Sequence, residues 1–345
     1  MRRREFIGLV AGAAGALTCA DLFAAQKSPM ARIGSLRAGP LPPIECCADP
    51  ECKSSRRDAY QNPKCLLEFI AGLHTLGWRE GDNLQIESRC DGGDPASLPR
   101  LAAELVALRP DILVAGATIE TKAFQAATSD IPIVFMLSSD PVGSGIVDSL
   151  AHPGRNATGT ALTPQILWSK RLELIAELIG HRPTKVTWLG SPGDIMFKRS
   201  LAAVMEAAEQ MSVKVDRFDA HEPSDFERIF AASAGSEAVL IQFDILTFYH
   251  RPQITELAAR YRLPAIYDNR DYVVDGGLIS YGADIREIVL RSATYMDRIL
   301  RGARPQDLPV QQPSKFNLVI NLKTAKALSL TIPVKLLTVA DEVIE

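Results

Sequence analysis

Cysteine is the residue type in this chain whose spacing most invites a chemical role. Cys46, Cys47 and Cys52 crowd into the stretch ECCADPECK, and Cys65 and Cys90 follow. Such a group can ligate zinc, exchange disulfides or staple a loop, and the redox compartment decides among these. Other catalytic patterns fail in turn. Ser144 has Val142 two positions before it, so there is no nucleophile elbow, and neither a GxxxxGK[ST] loop nor a GxGxxG after a first strand occurs. His74, His152, His181, His221 and His250 form no i, i+4 pair. The two carboxylates of CDGGDP read as a turn in which Asp94-Pro95 starts a helix. These absences argue against an enzyme and call for no cofactor.

The compartment is read from MRRREFIGLVAGAAGALTCADLFAAQ, in which basic residues precede an apolar run from Phe6 to Ala20 and then small residues. This is the order of an export signal, assigned to residues 1–25, and Arg3-Arg4 gives it the twin-arginine form. The apolar run is shorter than the roughly 20 residues that a membrane span needs. In an oxidising periplasm, Cys46, Cys47, Cys52, Cys65 and Cys90 read as one or two structural disulfides bracing a loop. Adjacent Cys46 and Cys47 are poorly placed to bridge each other, and an odd number leaves at least one cysteine outside intrachain pairing. Metal ligation and a reactive thiol stay open as alternatives.

A net charge of −3 with 47% apolar and 23% charged residues describes an ordinary globular protein without a basic field for nucleic acid. About 320 residues beyond the signal exceed the size at which one core stops growing, so two lobes are expected. Short β-rich runs alternate with helical stretches, the pattern of parallel α/β units. Expected strands are Ala31 to Leu36, Asn83 to Ser88, Ile112 to Ala115, Ile131 to Leu137, Lys185 to Leu189, Lys214 to Phe218, Ala238 to Phe243, Ala265 to Tyr267 and Leu278 to Ser280. Laying Thr121 to Val147 over Gln253 to Ile279 without gaps aligns Ala126, Ala127, Pro132, Val142 and Gly145 with Ala258, Ala259, Pro264, Val274 and Gly277. Each half then shows a helix, a strand opened by proline and a polar loop in the same order.

Several segments together carry a family resemblance. They are LPRLAAELVALRPDILVAGAT, SDIPIVFMLSSDPVGSGIVDSLAHPGRNATG, RLPAIYDNRDYVVDGGLISYGADIREIVLRSATYMDRILRGARPQDLPVQQPSKFNLVINLKTAKALSLTIP and the ending ADEVIE. The chain resembles the ABC transporter substrate-binding proteins that include tryptophan- and tyrosine-type solute binders. The resemblance implies the type I periplasmic-binding fold, α/β with two Rossmann-like lobes joined by three crossovers. These fall near Asn156 to Thr160, Ser280 to Gly282 and Val310 to Ser314. The lobes become residues 30–157 with 283–311, including a Cys-rich insertion at 38–64, and residues 158–282 with 312–345.

Ligands of such a fold sit where strands end and helix N-termini present unpaired amides. Thr118, Ser138, Ser139 and Asp140 in the first half, and Asp244, Asn269, Arg270 and Tyr281 in the second, are the candidate contacts. Thr118, Asp140 and Asp244 can equally be helix caps, and Tyr281 can be hinge packing. Trp168 and Trp188 read as core. The expected protein is a monomeric, periplasmic binder that takes a small solute, best an amino acid and possibly an aromatic one, by hinge closure and passes it to an inner-membrane ABC permease. The alternatives are a sensory binder that reports to a signalling partner and an exported thiol or metal protein built on the insertion.

Overall fold

The computed structural model describes residues 30–38, 63–162 and 167–345. The first lobe contains β1 (Ala31–Arg37), α1 (Pro63–Thr75), β2 (Leu84–Cys90), α2 (Leu98–Ala107), β3 (Ile112–Ala115), α3 (Thr118–Ala127), β4 (Ile133–Ser138) and β5 (Ala157–Ala161). The second contains α4 (Trp168–Ile179), β6 (Lys185–Gly190), α5 (Phe197–Gln210), β7 (Lys214–Asp219), α6 (Asp225–Ala232), β8 (Ala238–Ile241), α7 (Ile245–Tyr249), α8 (Arg251–Arg260), β9 (Ala265–Tyr267), α9 (Arg270–Val274) and β10 (Ile279–Ala283). Then α10 (Ile285–Leu300) packs back on α1, β4 and β5, before β11 (Phe316–Asn321), α11 (Leu322–Ala327), α12 (Val334–Val339) and β12 (Glu342–Ile344) return to the second lobe.

The first sheet has the order β2-β1-β3-β4-β5, and the second contains β7-β6-β8-β9-β10 with β11 and β12 added beyond β10. Corresponding strands therefore occupy corresponding places, and the pairings are parallel except β10 with β11. The alignment of Pro132 with Pro264 has a geometric counterpart. Leu113 N of β3 donates to Pro132 O at 2.8 Å, and Val239 N of β8 donates to Pro264 O at 2.8 Å.

Apolar periodicity explains the layers. On α2, Leu98, Leu101, Ala102 and Leu105 fall at i, i+3, i+4 and i+7 and bury one stripe against the sheet. Helices cover both sheet faces. In the first lobe one core joins α2 and α3 to the sheet through Leu105 and Phe124, and another joins α1 and α10 through Phe69 and Met296. In the second lobe Trp168, Trp188 and Leu336 mark one core and Phe226, Phe230 and Leu257 the other. Continuous apolar runs such as Ile112–Ala115 are buried throughout, as strands covered on both faces must be.

The first crossover lies later in the chain than expected. Ala157–Ala161 is a fully buried strand of the first sheet, so the chain crosses after Leu162. The sequence ATGTA hides this strand because it has no large apolar residue. Its hydroxyls are satisfied internally, with Thr158 Oγ1 donating to Leu308 O at 2.6 Å and Thr160 Oγ1 bonding Met136 O. Ala161 N donates to Gln311 O and Gln311 N to Gly159 O, so the first and third connections lie side by side. The second crossover falls between Ala283 and Ile285, and the third between Gln311 and Phe316.

Candidate ligand cleft

The carboxyl ends of both sheets face a shared cleft. From the first lobe come Ser139 after β4, Leu162 after β5 and Ile285 of α10. From the second come Trp168 and Arg171 of α4, Gln242 and Phe243 after β8, and Asp268 and Asn269 after β9, with Phe316 on β11. The atom-free space is about 600 Å³, part of it open to solvent, of which about 40 Å³ admits the centre of a water. The cleft in this state is a slot lined mainly by apolar side chains.

Four lining residues present a buried polar atom with no hydrogen-bond partner: Arg171 Nη1, Trp168 Nε1, Gln242 Oε1 and Asp268 Oδ1. Such atoms are uncommon in folded proteins and point to a missing partner. Arg171 is 1% exposed, its Nε donates to Tyr281 O at 2.9 Å, and its guanidinium lies 4.8 Å from the Trp168 ring centroid. Burial pulls its pKa below the ordinary guanidinium value. Burial likewise raises Asp268 to about 6, against the opposing pull of Arg171. Gln242 Nε2 donates to Asp194 Oδ1 at 3.1 Å, leaving Oε1 over for the cleft.

The candidates proposed from sequence divide sharply. Ser139 and Asn269 line the cleft, although the Asn269 side chain also caps α9 by accepting from Asp271 N at 2.8 Å. Thr118 and Ser138 pair with each other at 2.9 Å, buried beneath it. Asp140 accepts from Gly143 N and forms an ion pair with Arg199 of α5, linking the lobes at the rim.

The other three candidates take structural roles. Asp244 is a cap: Oδ1 accepts from Thr247 N at 2.8 Å and Oδ2 from Ser191 N at 3.1 Å. Burial, with a further push from Asp194, raises its pKa to about 7. Arg270 is held by Glu342 of β12 in a two-pronged pair at 2.5 Å. Tyr281 packs against Phe316 with ring centroids 6.2 Å apart and contributes its carbonyl to Arg171.

Sequence reasoning missed Arg171 and Asp268, yet both leave a trace. Trp168, Arg171, Leu172, Ile175 and Leu178 make one buried stripe of α4, so Arg171 is a cation on an apolar face. Asp268 is the first residue after β9, the position that should precede Asn269 and Arg270 as a candidate. Trp168 is core as expected, and it also lines the cleft.

Gly282 fixes the Asp268 position. A Cβ there would stand 1.6 Å from Asp268 O, so only glycine lets β10 approach the end of β9 this closely. A second approach between the lobes brings Tyr249 of α7 near Arg37, Cys90, Asp91 and Glu120. Burial is the main cause that holds the Tyr249 phenol well above its ordinary pKa. Glu120 is buried, which raises its pKa, and its oxygens accept from Ala38 N and Ala117 N. Cys90 Sγ accepts from Arg37 Nη2 at 3.0 Å. Cys46, Cys47 and Cys52 lie outside the described residues, as does any pairing of the Cys65 side chain, and residues 1–25 lie outside them too. Among the described residues no cluster of three or more His, Cys, Asp or Glu is placed to hold a metal, and no helix is long and apolar enough to cross a membrane.

Two doubly wound lobes closing on a cleft at their strand ends define a type I periplasmic-binding protein. The fold superposes on a Streptococcus pneumonia ABC domain solved in complex with L-Trp, with TM-score 0.78 at 24% identity, covering 91% of this chain and 100% of that one. It superposes equally on a conserved domain protein from Vibrio cholerae O1 biovar El Tor, with TM-score 0.78 at 26% identity, covering 91% and 99%. The family described as "ABC transporter substrate binding protein" matches residues 65–344, and the chain belongs to it. It is thus an ABC transporter substrate-binding protein, of a family that binds solutes and is not enzymatic. A curated relative, the tyrosine-binding protein of Clostridioides difficile strain R20291, is 26% identical over 263 residues, 76% of this chain and 75% of its own length.

Proposed function

We propose that this protein is exported to the periplasm, captures an amino acid with an aromatic side chain between its lobes, and hands it to an ABC permease of the inner membrane. The observation that carries the reading is the lining of one apolar slot by both lobes, with Leu162 and Ile285 opposite Trp168 and Phe243. A ligand touching both surfaces gains its full set of contacts only when they close, so it shifts the open and closed populations by the free energy of the added contacts. Among the described residues, the bodies that move are 30–38 and 63–162 with 284–311, and 167–283 with 312–345. The relatives add chemical identity, one being named for tyrosine and another solved with L-Trp.

A thermal-shift screen against amino acids, aromatic acids and sugars tests the reading. Ligand at 100 times Kd should add roughly 2.7 kcal/mol of stability. An upward shift with L-tyrosine or L-tryptophan, and none with sugars, is expected. A sugar as the best stabiliser, or no shift with any amino acid, overturns the proposal.

A further inference from the structure

We infer that the cleft is electrically polarised to grip the zwitterionic end of an amino acid. Donors on α4, Arg171 Nη1 and Trp168 Nε1, receive the carboxylate, and acceptors at the ends of β8 and β9, Gln242 Oε1 and Asp268 Oδ1, receive the ammonium. The inference rests on the amino-acid reading above and assigns the residues that make it specific.

Its basis is the arrangement of unpartnered atoms. All four are buried, all belong to residues lining the same slot, and none has a hydrogen-bond partner. They are also sorted by chemistry, with both donors on one helix and both acceptors on the adjoining strand ends. A buried guanidinium and a buried carboxylate in one cavity would be expected to pair. Arg171 and Asp268 feel each other's charge but form no ion pair. A ligand carrying a carboxylate and an ammonium would supply a partner to each of these unpartnered atoms. A decarboxylated amine satisfies the acceptors and leaves Arg171 Nη1 without a partner, whereas a deaminated acid leaves Asp268 Oδ1 so. Each therefore loses the benefit of one pole and leaves the charge facing it desolvated.

Calorimetric titration of the full-length protein tests this with L-tyrosine, tyramine and 3-(4-hydroxyphenyl)propionate, and in parallel with L-tryptophan, tryptamine and indole-3-propionate. Each single-pole analogue should bind at least about 30-fold more weakly than its parent amino acid. In Asp268→Asn, the preference for the amino acid over the deaminated acid should shrink to less than about threefold. If this variant does not fold, proton release by the wild type carries the same test. At pH 6 the amino acid should displace protons, seen as a buffer-dependent heat, and the deaminated acid should not. If the amino acids bind but the single-pole analogues bind within threefold of them, the polar assignment fails while the amino-acid reading stands. Retention of the preference by Asp268→Asn, or equal proton release by both ligands, also overturns the assignment. If neither amino acid binds, the amino-acid reading itself fails and takes the assignment with it.

Discussion

The first lobe brings Ser139, Leu162 and Ile285 to the cleft, one hydroxyl and two aliphatic side chains, whereas the second brings a guanidinium, a carboxylate, an amide and an indole with unpartnered atoms. The sheets behind them have the same strand order. A common scaffold has thus been loaded unequally. The second lobe holds the groups able to orient a charged ligand, and the first offers a mostly apolar cover. Substitutions in the two lobes should accordingly separate capture from closure.

The largest effect is expected from Gly282→Ala. The added Cβ collides with Asp268 O and must displace a backbone, at a cost of about 1–3 kcal/mol in stability. Amino-acid affinity should fall at least about 100-fold, because the acceptor end moves; titration of the variant checks this. Next comes Arg171→Met. Binding should drop by about 100-fold or more, while stability without ligand, read from denaturant unfolding, should stay within about 1 kcal/mol of wild type, since an incompletely partnered buried charge is replaced by an apolar side chain. A variant that loses stability but binds normally would make Arg171 a structural residue and erase the contrast between the lobes.

Acidity offers a finer test. Burial holds Asp194, Asp244 and Asp268 at about 6, 7 and 6, all above their unfolded values. The stability tied to their neutral forms is fully present below about pH 4 and is lost as pH rises through 6 and 7. The melting temperature of the unliganded protein should therefore fall by several degrees between pH 5 and 8. Half-buried Asp225 and Glu237 behave oppositely. Hydrogen bonds, chiefly from His221 N and the Thr184 hydroxyl, hold them at about 2, so their contribution persists above the ordinary carboxylate range and goes only as pH falls towards 2. Ligand affinity runs against the stability trend. An ammonium favours ionised Asp268, so Kd should weaken about tenfold from pH 7 to 5. Parallel pH titrations of melting and binding would expose any failure of this opposition.

The smallest effects belong to the first lobe and the rim. Ser139→Ala should change affinity less than about fivefold, through one neutral hydrogen bond at most. Arg199→Ala breaks an exposed ion pair with Asp140 and should alter affinity by no more than about threefold. A loss of 100-fold from either would shift the centre of recognition to the first lobe.

The sequence made the α/β alternation legible because buried parallel strands are continuous apolar runs, as at Ile112–Ala115 and Ala265–Tyr267. It concealed β5 because ATGTA owes its burial to neighbours far along the chain, Leu308 and Gln311, and not to its own hydrophobicity. The site was legible at the level of which loops matter. Ser139 and Asn269 line the cleft from places after strands, whereas Asp244 and Arg270 occupy similar places and are held by Ser191, Thr247 and Glu342. Loop position says where a side chain starts. Which partner it finds depends on contacts that no local pattern encodes. Arg171 shows the converse, since a cation on the apolar stripe of a helix is itself a signal that something outside that helix must answer its charge.

A crystal structure with L-tyrosine or L-tryptophan bound bears most directly on the division between lobes. The expected result is one ligand in the cleft, its carboxylate within hydrogen-bond distance of Arg171 Nη1, its ammonium on Asp268, and Leu162 and Ile285 closed over the ring. A ligand whose charged groups rest on first-lobe residues, or one bound outside this cleft, would contradict it.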